Sequence, residues 1–325
     1  MWIDSLFLVM GLVLILVGAN ALTDGASSIA RRFGISDLVV GLTVVAFGTS
    51  APELVISIVS AINGSAELAI GNVVGSNLFN TLVIVGVTAV IVPIVITKSI
   101  MSNEIPLVVL SSLVLLVMGN GVLLDGAAER MVTRGDGIVL LLFFAIFMRY
   151  TFSQAKNTDG VDPASEEVSK KKPMSMFKAI LWVAGGLAAL IYGGDRFVAG
   201  ASGIARGLGV SEAVIGLTIV AAGTSLPELA TSVTAALKGK TGIALGNVIG
   251  SNIFNIFLVL GASAAIRPLP FGSIGNFDLL TLVFASLLFW IFGWVIKTRT
   301  ITRIEGALMV GVYVAYVGML ISNVR

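Results

Sequence analysis

An all-α polytopic membrane protein is the fold class the sequence predicts, with ten transmembrane helices as two inverted five-helix repeats and broken helices at the midplane. The first observation behind this is composition: 57% of residues are hydrophobic and only 12% charged, against about 25% charged in soluble domains. The second is an internal repeat. Between Gly25 and Gly86, 33 of 62 positions are identical to the residue 175 places later. The third is parity, because an odd number of spans per repeat forces the second half into the membrane from the opposite face.

Apolar stretches long enough to cross a hydrocarbon core of about 30 Å fall near residues 3–23, 35–62, 67–94, 104–124 and 136–153. Five more fall near 175–198, 210–237, 242–268, 276–296 and 304–323. The first repeat is therefore read as 1–153, the second as 175–325, and residues 154–174, rich in Asp, Glu, Ser and Lys, as the linker between them. Ala19-Asn20-Ala21 resembles a signal-peptide cleavage site. Asp4, the lack of any Lys or Arg before it, and a counterpart near Leu190 to Gly200 favour a first helix instead.

Orientation follows from Lys and Arg in the loops. Fourteen of them, including Arg31, Arg32, Lys98, Lys170, Lys238 and Lys297, fall on one side, and six, including Arg130, Arg206 and Arg267, on the other. This predicts a cell (inner) membrane protein with both termini outside and the 154–174 linker in the cytoplasm. The net charge of +2 is a sum over two faces and does not point to nucleic acid. With no cysteine and no histidine, disulfides, thiolate or imidazole metal sites and a histidine relay are excluded. Oxygen chemistry remains, which hard cations prefer.

The sequence GTSAPE at Gly48 to Glu53 returns as GTSLPE at Gly223 to Glu228, in stretches that hold no other formal charge beyond Asp37 and Glu212 near their starts. A carboxylate at the centre of a span costs roughly 2.5–3.5 kcal/mol on insertion scales, so an intramembrane Glu is a functional-site hypothesis by default. Each Glu follows a proline directly and a glycine by five residues, where a helix is expected to break and free backbone carbonyls. In the next span Asn72, Ser76 and Asn80 recur every four residues as one polar stripe, repeated as Asn247, Ser251 and Asn255. Thr49 and Ser50, with Thr224 and Ser225 in the second copy, either share the face of their Glu or present carbonyls at the break. A two-fold axis in the membrane plane would bring the four segments to one cavity, with oxygens enough for the six to eight that Ca2+ takes.

Two ionised Glu are neutralised by one Ca2+, whereas several Na+ must replace it, and competition for one set of oxygens is the physical basis of exchange. Mg2+, which holds its water shell, fits poorly. The Gly71/Gly75 and Gly246/Gly250 pairs are open to a second reading as close-packing faces. Asn77 and Asn252 lie off the stripe and are expected to bond a neighbouring helix.

The paired GTSAPE and GTSLPE segments, each followed by a GNVxGSNxFN segment, resemble the α-repeats of the Na+/Ca2+ exchanger family in the cation/Ca2+ exchanger superfamily, of the prokaryotic type. The resemblance covers essentially the whole chain. It implies ion sites between the second, third, seventh and eighth helices, with Glu53 and Glu228 binding Ca2+ and sharing Na+, helped by the Thr49 and Thr224 carbonyls. It further implies Na+ ligation by Ser50, Ser76, Ser225, Ser251 and the Ala46 and Ala221 carbonyls, with Asn80 and Asn255 beside the central site. Some members have Asp where Asn255 or Asn80 stands here, which argues against potassium dependence. The implied activity is antiport of three Na+ for one Ca2+, with no cofactor and no enzymatic step. The first and sixth helices, here the Gly11/Gly18 and Gly185/Gly193 spans, would slide to alternate access.

Other readings use the same residues. Ca2+/H+ exchange would protonate the two Glu alternately, a cation channel would need a continuous pore, and an intramembrane hydrolase would need a peptide or lipid site that the sequence does not supply.

Overall fold

The computed structural model describes residues 2–126, 128–155, 173–208 and 221–323. The helices named here are α1 (Trp2–Phe33), α2 (Asp37–Thr49), α3 (Ala51–Ile62), α4 (Ala66–Ile91), α5 (Ile100–Met118), α6 (Arg134–Gln154), α7 (Met176–Gly207), α8 (Leu226–Leu237), α9 (Thr241–Ile266), α10 (Asn276–Val295) and α11 (Arg303–Asn323). Among the described residues eight helices are each long and apolar enough to span a bilayer, and α2 with α3 makes a ninth. The span expected at 210–237 is described only from Ala221 onward, so its first part lies outside the described residues, as does most of the expected linker.

Local chemistry sets the helix ends. Ser36 caps α2 by accepting the Val39 N–H at 3.3 Å, and Thr133 with Asp136 forms a reciprocal capping box on α6. The expected break in the second span is present: α2 and α3 meet at Ser50 with a 48° bend, and Pro52 sits in the first turn of α3. Proline tolerates a first turn because its missing N–H is unpaired there anyway. Pro227 takes the same place in α8. Helices α4 and α9 each wind into a π-helical turn, at Phe79–Ile84 and Phe254–Leu260.

Two expectations change here. The first and sixth spans run 32 residues each, well past the hydropathy edges at 23 and 198. The polar end of α1 stays helical because it is packed: Asp24 pairs with Lys238 at 2.8 Å and faces Lys240 at 3.8 Å. The all-α reading also needs two short additions. Ile94–Val95 pairs antiparallel with Thr300–Ile301, and Met131–Val132 with Leu269–Pro270. Each pairing joins the segment after the third helix of one half to the segment before the last helix of the other.

Among the described residues, helices α1 and α7 form the most extensive helix pair. Their seam is glycine every seventh residue on both sides, at Gly11, Gly18 and Gly25 against Gly186, Gly193 and Gly200. A methyl placed on Gly18 would meet the Gly186 carbonyl oxygen at 2.7 Å, and one on Gly186 would meet the Gly18 carbonyl oxygen at 2.8 Å. Gly186 therefore faces the seam, whereas a methyl on its neighbour Gly185 meets nothing within 4 Å among the described residues. The outward face of α1, with Leu6, Val9, Val13, Leu16 and Val17, is exposed and apolar, as a lipid-facing surface should be.

Lys240 is nearly buried, and desolvation pushes its ammonium below the ordinary lysine range, with Asp24 opposing the shift. Asp24→Asn should leave this buried charge with only the weaker influence of Asp37 to balance it, which is costlier than losing both partners. The expected result is a lower thermal midpoint in detergent for Asp24→Asn than for the double variant Asp24→Asn/Lys240→Met, read by a melting scan.

Candidate functional site

The breaks in the second and seventh spans place Glu53 and Glu228 in the first turns of α3 and α8. There the free N–H groups of a helix start favour negative charge. Both side chains are about 1% exposed. Each is reached by a serine of the opposite repeat: Ser50 Oγ donates to Glu228 Oε1 at 3.1 Å, and Ser225 Oγ lies 3.5 Å from Glu53 Oε1. Because Ser50 stands three residues before Glu53, and Ser225 three before Glu228, these crossed contacts bring the two carboxylates to one site.

The remaining oxygens decide what the site fits. Glu53 Oε2, Glu228 Oε2, Asn80 Oδ1, Asn255 Oδ1 and Ser251 Oγ are all buried without a hydrogen-bond partner among the described residues. Burying such groups unpaired costs on the order of 1–3 kcal/mol each, more when charged. Two carboxylates in low dielectric cannot both stay ionised without a compensating positive charge. A set of orphaned carboxylate, amide and hydroxyl oxygens fits a hard cation.

The structure places the other sequence-predicted residues as follows. Thr49 is buried at the end of α2, its Oγ1 3.1 Å from both the Val45 carbonyl oxygen and Asn247 Oδ1. The Ala46 carbonyl accepts the Ser50 N–H at 2.9 Å, whereas the Ser225 N–H turns to the Ala222 carbonyl at 3.2 Å, one residue off the symmetric position of Ala221. Thr224 is half-buried, and Ser76 is buried on α4. The π-helical turn with Asn80 packs on α8, the helix of Glu228, and the turn with Asn255 packs on α3, the helix of Glu53.

Asn72 and Asn247, read from the sequence as part of the lining stripe, instead brace the breaks from behind. Asn72 Nδ2 donates to the Glu53 carbonyl at 3.3 Å and to Ser57 Oγ at 2.9 Å, and Asn247 Nδ2 to the Glu228 carbonyl at 3.2 Å and Ser232 Oγ at 3.0 Å. The identity of Ser57 and Ser232 at the 175 offset was the available signal for this brace. The second-half glycines also pack closely: methyls on Gly246 and Gly250 would lie 2.6 Å from the Leu38 carbonyl oxygen and 2.9 Å from that of Leu42. Asn77 donates across to the Asn252 carbonyl at 3.1 Å and Asn252 to Thr81 Oγ1 at 2.8 Å, so both bond a neighbouring helix. A buried carboxylate outside this cluster, Glu104 on α5, accepts the Tyr150 hydroxyl at 2.8 Å and ties α5 to α6.

Comparison with known proteins bears on this arrangement. The sequence matches the family described as sodium/calcium exchanger protein over residues 4–153 and 178–322. It is 37% identical to CaxA of Alkalimonas amylolytica over 99% of this chain and 100% of the relative. It is also 33% identical to the inner membrane protein YrbG of Escherichia coli over 98% and 97%. The fold matches a solved structure of the sodium-calcium exchanger NCX_Mj, soaked with zero Na+ and Ca2+, with a TM-score of 0.83, 32% identity, and coverage of 97% of this chain and 98% of that one. The ten-helix inverted-repeat architecture is thus that of this exchanger, and the two crossed Glu–Ser contacts sit at the interface of its halves. The chain belongs to the sodium/calcium exchanger family, a family of membrane antiporters of cations.

Proposed function

We propose that this protein is a Na+/Ca2+ antiporter that exports Ca2+ in exchange for several Na+, using one central site shared by its two repeats. The observation that carries this reading is the pair of buried carboxylates, each bonded by a serine of the other repeat and each keeping one oxygen without a partner. Ca2+ neutralises both charges at once. In this reading Glu53 and Glu228 hold Ca2+ with the Thr49 and Thr224 carbonyls. Na+ takes subsets of the same oxygens with Ser50, Ser76, Ser225, Ser251 and the Ala46 and Ala221 carbonyls, and Asn80 and Asn255 border the centre.

Proton exchange would use the same two carboxylates, and the neutral oxygens of Ser251, Asn80 and Asn255 would serve Ca2+ in either case; membership of the sodium/calcium exchanger family is what favours Na+ as the counter-ion. The ions named for NCX_Mj support it as well. Purified protein in liposomes should take up radiolabelled Ca2+ when an outward Na+ gradient is imposed. Uptake driven by a pH gradient without Na+, and unaffected by Na+, would overturn the assignment in favour of Ca2+/H+ exchange.

In this account the halves 1–153 and 175–325 act as repeats about a linker at 154–174, and the α1–α7 pair moves past the site to alternate access. The placement is a cell inner membrane with both termini outside, supported by the distribution of Lys and Arg and by the inner-membrane relative. If three Na+ enter per Ca2+ expelled, the one net charge moved inward adds about 2.3 kcal/mol per 100 mV to the driving force.

Asn247→Ala should lower Ca2+ affinity by about 10–100-fold, the usual cost of losing a partner that orients a ligand. It would release the Glu228 carbonyl, Ser232 and Thr49 together. Calorimetric titration of Ca2+ reads this directly.

A further inference from the structure

The two repeats are not equivalent around the site, and the difference begins at a single peptide carbonyl. Asn77 Nδ2 donates to the Asn252 backbone carbonyl at 3.1 Å. A carbonyl only accepts, so the Asn77 amide has one allowed orientation, with Oδ1 directed away. That oxygen accepts Asn255 Nδ2 at 3.0 Å. An amide oxygen also only accepts, so Asn255 must turn its nitrogen to Asn77 and its Oδ1 to the opposite side, where Oδ1 is buried without a partner.

The 175 offset predicts a mirror-image relay in which Asn252 clamps Asn80. It does not form. Asn252 Nδ2 donates instead to Thr81 Oγ1 at 2.8 Å, a hydroxyl for which the other repeat has Ile256. Asn252 Oδ1, the atom that would hold Asn80, is buried with no partner among the described residues.

We propose that Asn77 is a positioning residue of the cation site, which locks the Asn255 amide with its oxygen presented to the ion, while Thr81 diverts Asn252 and leaves Asn80 without the equivalent clamp. This rests on the reading of the site as a shared Ca2+ and Na+ site. Its chemical consequence is that the two amides differ in kind: one oxygen is pre-aimed, and the other must be oriented by the ion itself.

Calcium titration of the purified full chain tests the relay through a double-mutant cycle. Asn77→Ala is expected to weaken Ca2+ binding about tenfold, Asn255→Ala by a similar factor, and the double variant no more than Asn255→Ala alone, because Asn77 acts only through Asn255. Asn252→Ala, which keeps the backbone carbonyl, should have a smaller effect than Asn77→Ala. A further loss of similar size on adding Asn77→Ala to Asn255→Ala, or an unchanged affinity for Asn77→Ala, overturns the proposal. Asn77→Leu, which keeps the volume and removes the acceptor, gives the same readings if the alanine protein does not fold. Glu53→Gln separates the two levels. If it binds Ca2+ normally the site reading fails, and if it abolishes binding while Asn77→Ala changes nothing, only the clamp fails.

Discussion

Glu53→Gln and Glu228→Gln proteins are each expected to lose Na+-driven Ca2+ uptake to the background of empty liposomes while retaining a folded, monodisperse state in detergent. The physical reason is charge. One Ca2+ balances two carboxylates, and a single remaining Glu leaves one positive charge uncompensated in a buried, low-dielectric site. The fold should tolerate the change, since glutamine keeps the side-chain shape and can still accept from Ser225 or Ser50, the serines that now reach Glu53 and Glu228. With the carboxylate gone, the desolvation burden on the apo protein falls. A thermal midpoint at or above the parent's, alongside abolished transport, would separate lost ion binding from lost folding; full transport by either variant would remove the glutamates from the mechanism.

The α1–α7 seam should yield the second large effect, and neighbouring glycines make the test internal. Gly186→Ala places a methyl 2.7 Å from the Leu22 backbone nitrogen and 2.8 Å from the Gly18 carbonyl oxygen. Backbone cannot give way as a flexible side chain can, so the two helices must separate, at a cost of roughly 1–3 kcal/mol for an overpacked contact. Replacing glycine by alanine inside a helix returns only about 1 kcal/mol, so the clash outweighs the gain. At Gly185, where a methyl meets nothing within 4 Å, the same substitution should be neutral or slightly stabilising. Gly186→Ala is therefore expected to lower the thermal midpoint and slow exchange, with the double variant Gly18→Ala/Gly186→Ala lower still. Equal behaviour of the alanine variants at 185 and 186 would contradict the seam.

Much of this was legible in the sequence because the chain states its key features twice. The two Glu, their prolines and the repeat offset pointed to broken helices meeting at an inverted-repeat interface, and the helices do break at Ser50 and ahead of Leu226. The offset held more than hydropathy could. Applied to Gly11, Gly18 and Gly25 it gives Gly186, Gly193 and Gly200, the three glycines of the seam, whereas an apolar window has no phase and does not say which face of a helix packs. The helical end of α1 was missed because Asp24 reads as a boundary until its partners Lys238 and Lys240, more than 200 residues away, are in place.

The π-helical turns left no trace in composition, since one extra residue per turn changes winding and not residue type. Asn72 and Asn247 lay on the right stripe but serve a different need: each donates to the carbonyl of its Glu and to the serine four residues on, fastening the first turn of α3 or α8 to the span that follows. Where the halves differ, as at Thr81 and Ile256, identity between repeats could not forecast the hydrogen bonds. Side-chain relays depend on which partner is present at each step.

The central claim is that two glutamates from opposite repeats form one cation site, and titration of Ca2+ into the purified protein, with and without Na+, tests it most directly. One Ca2+ bound per chain, displaced by Na+ with a slope steeper than one and absent from Glu53→Gln/Glu228→Gln protein, is the expected result. Two independent Ca2+ per chain, or binding that ignores both Na+ and the paired substitution, would contradict the account.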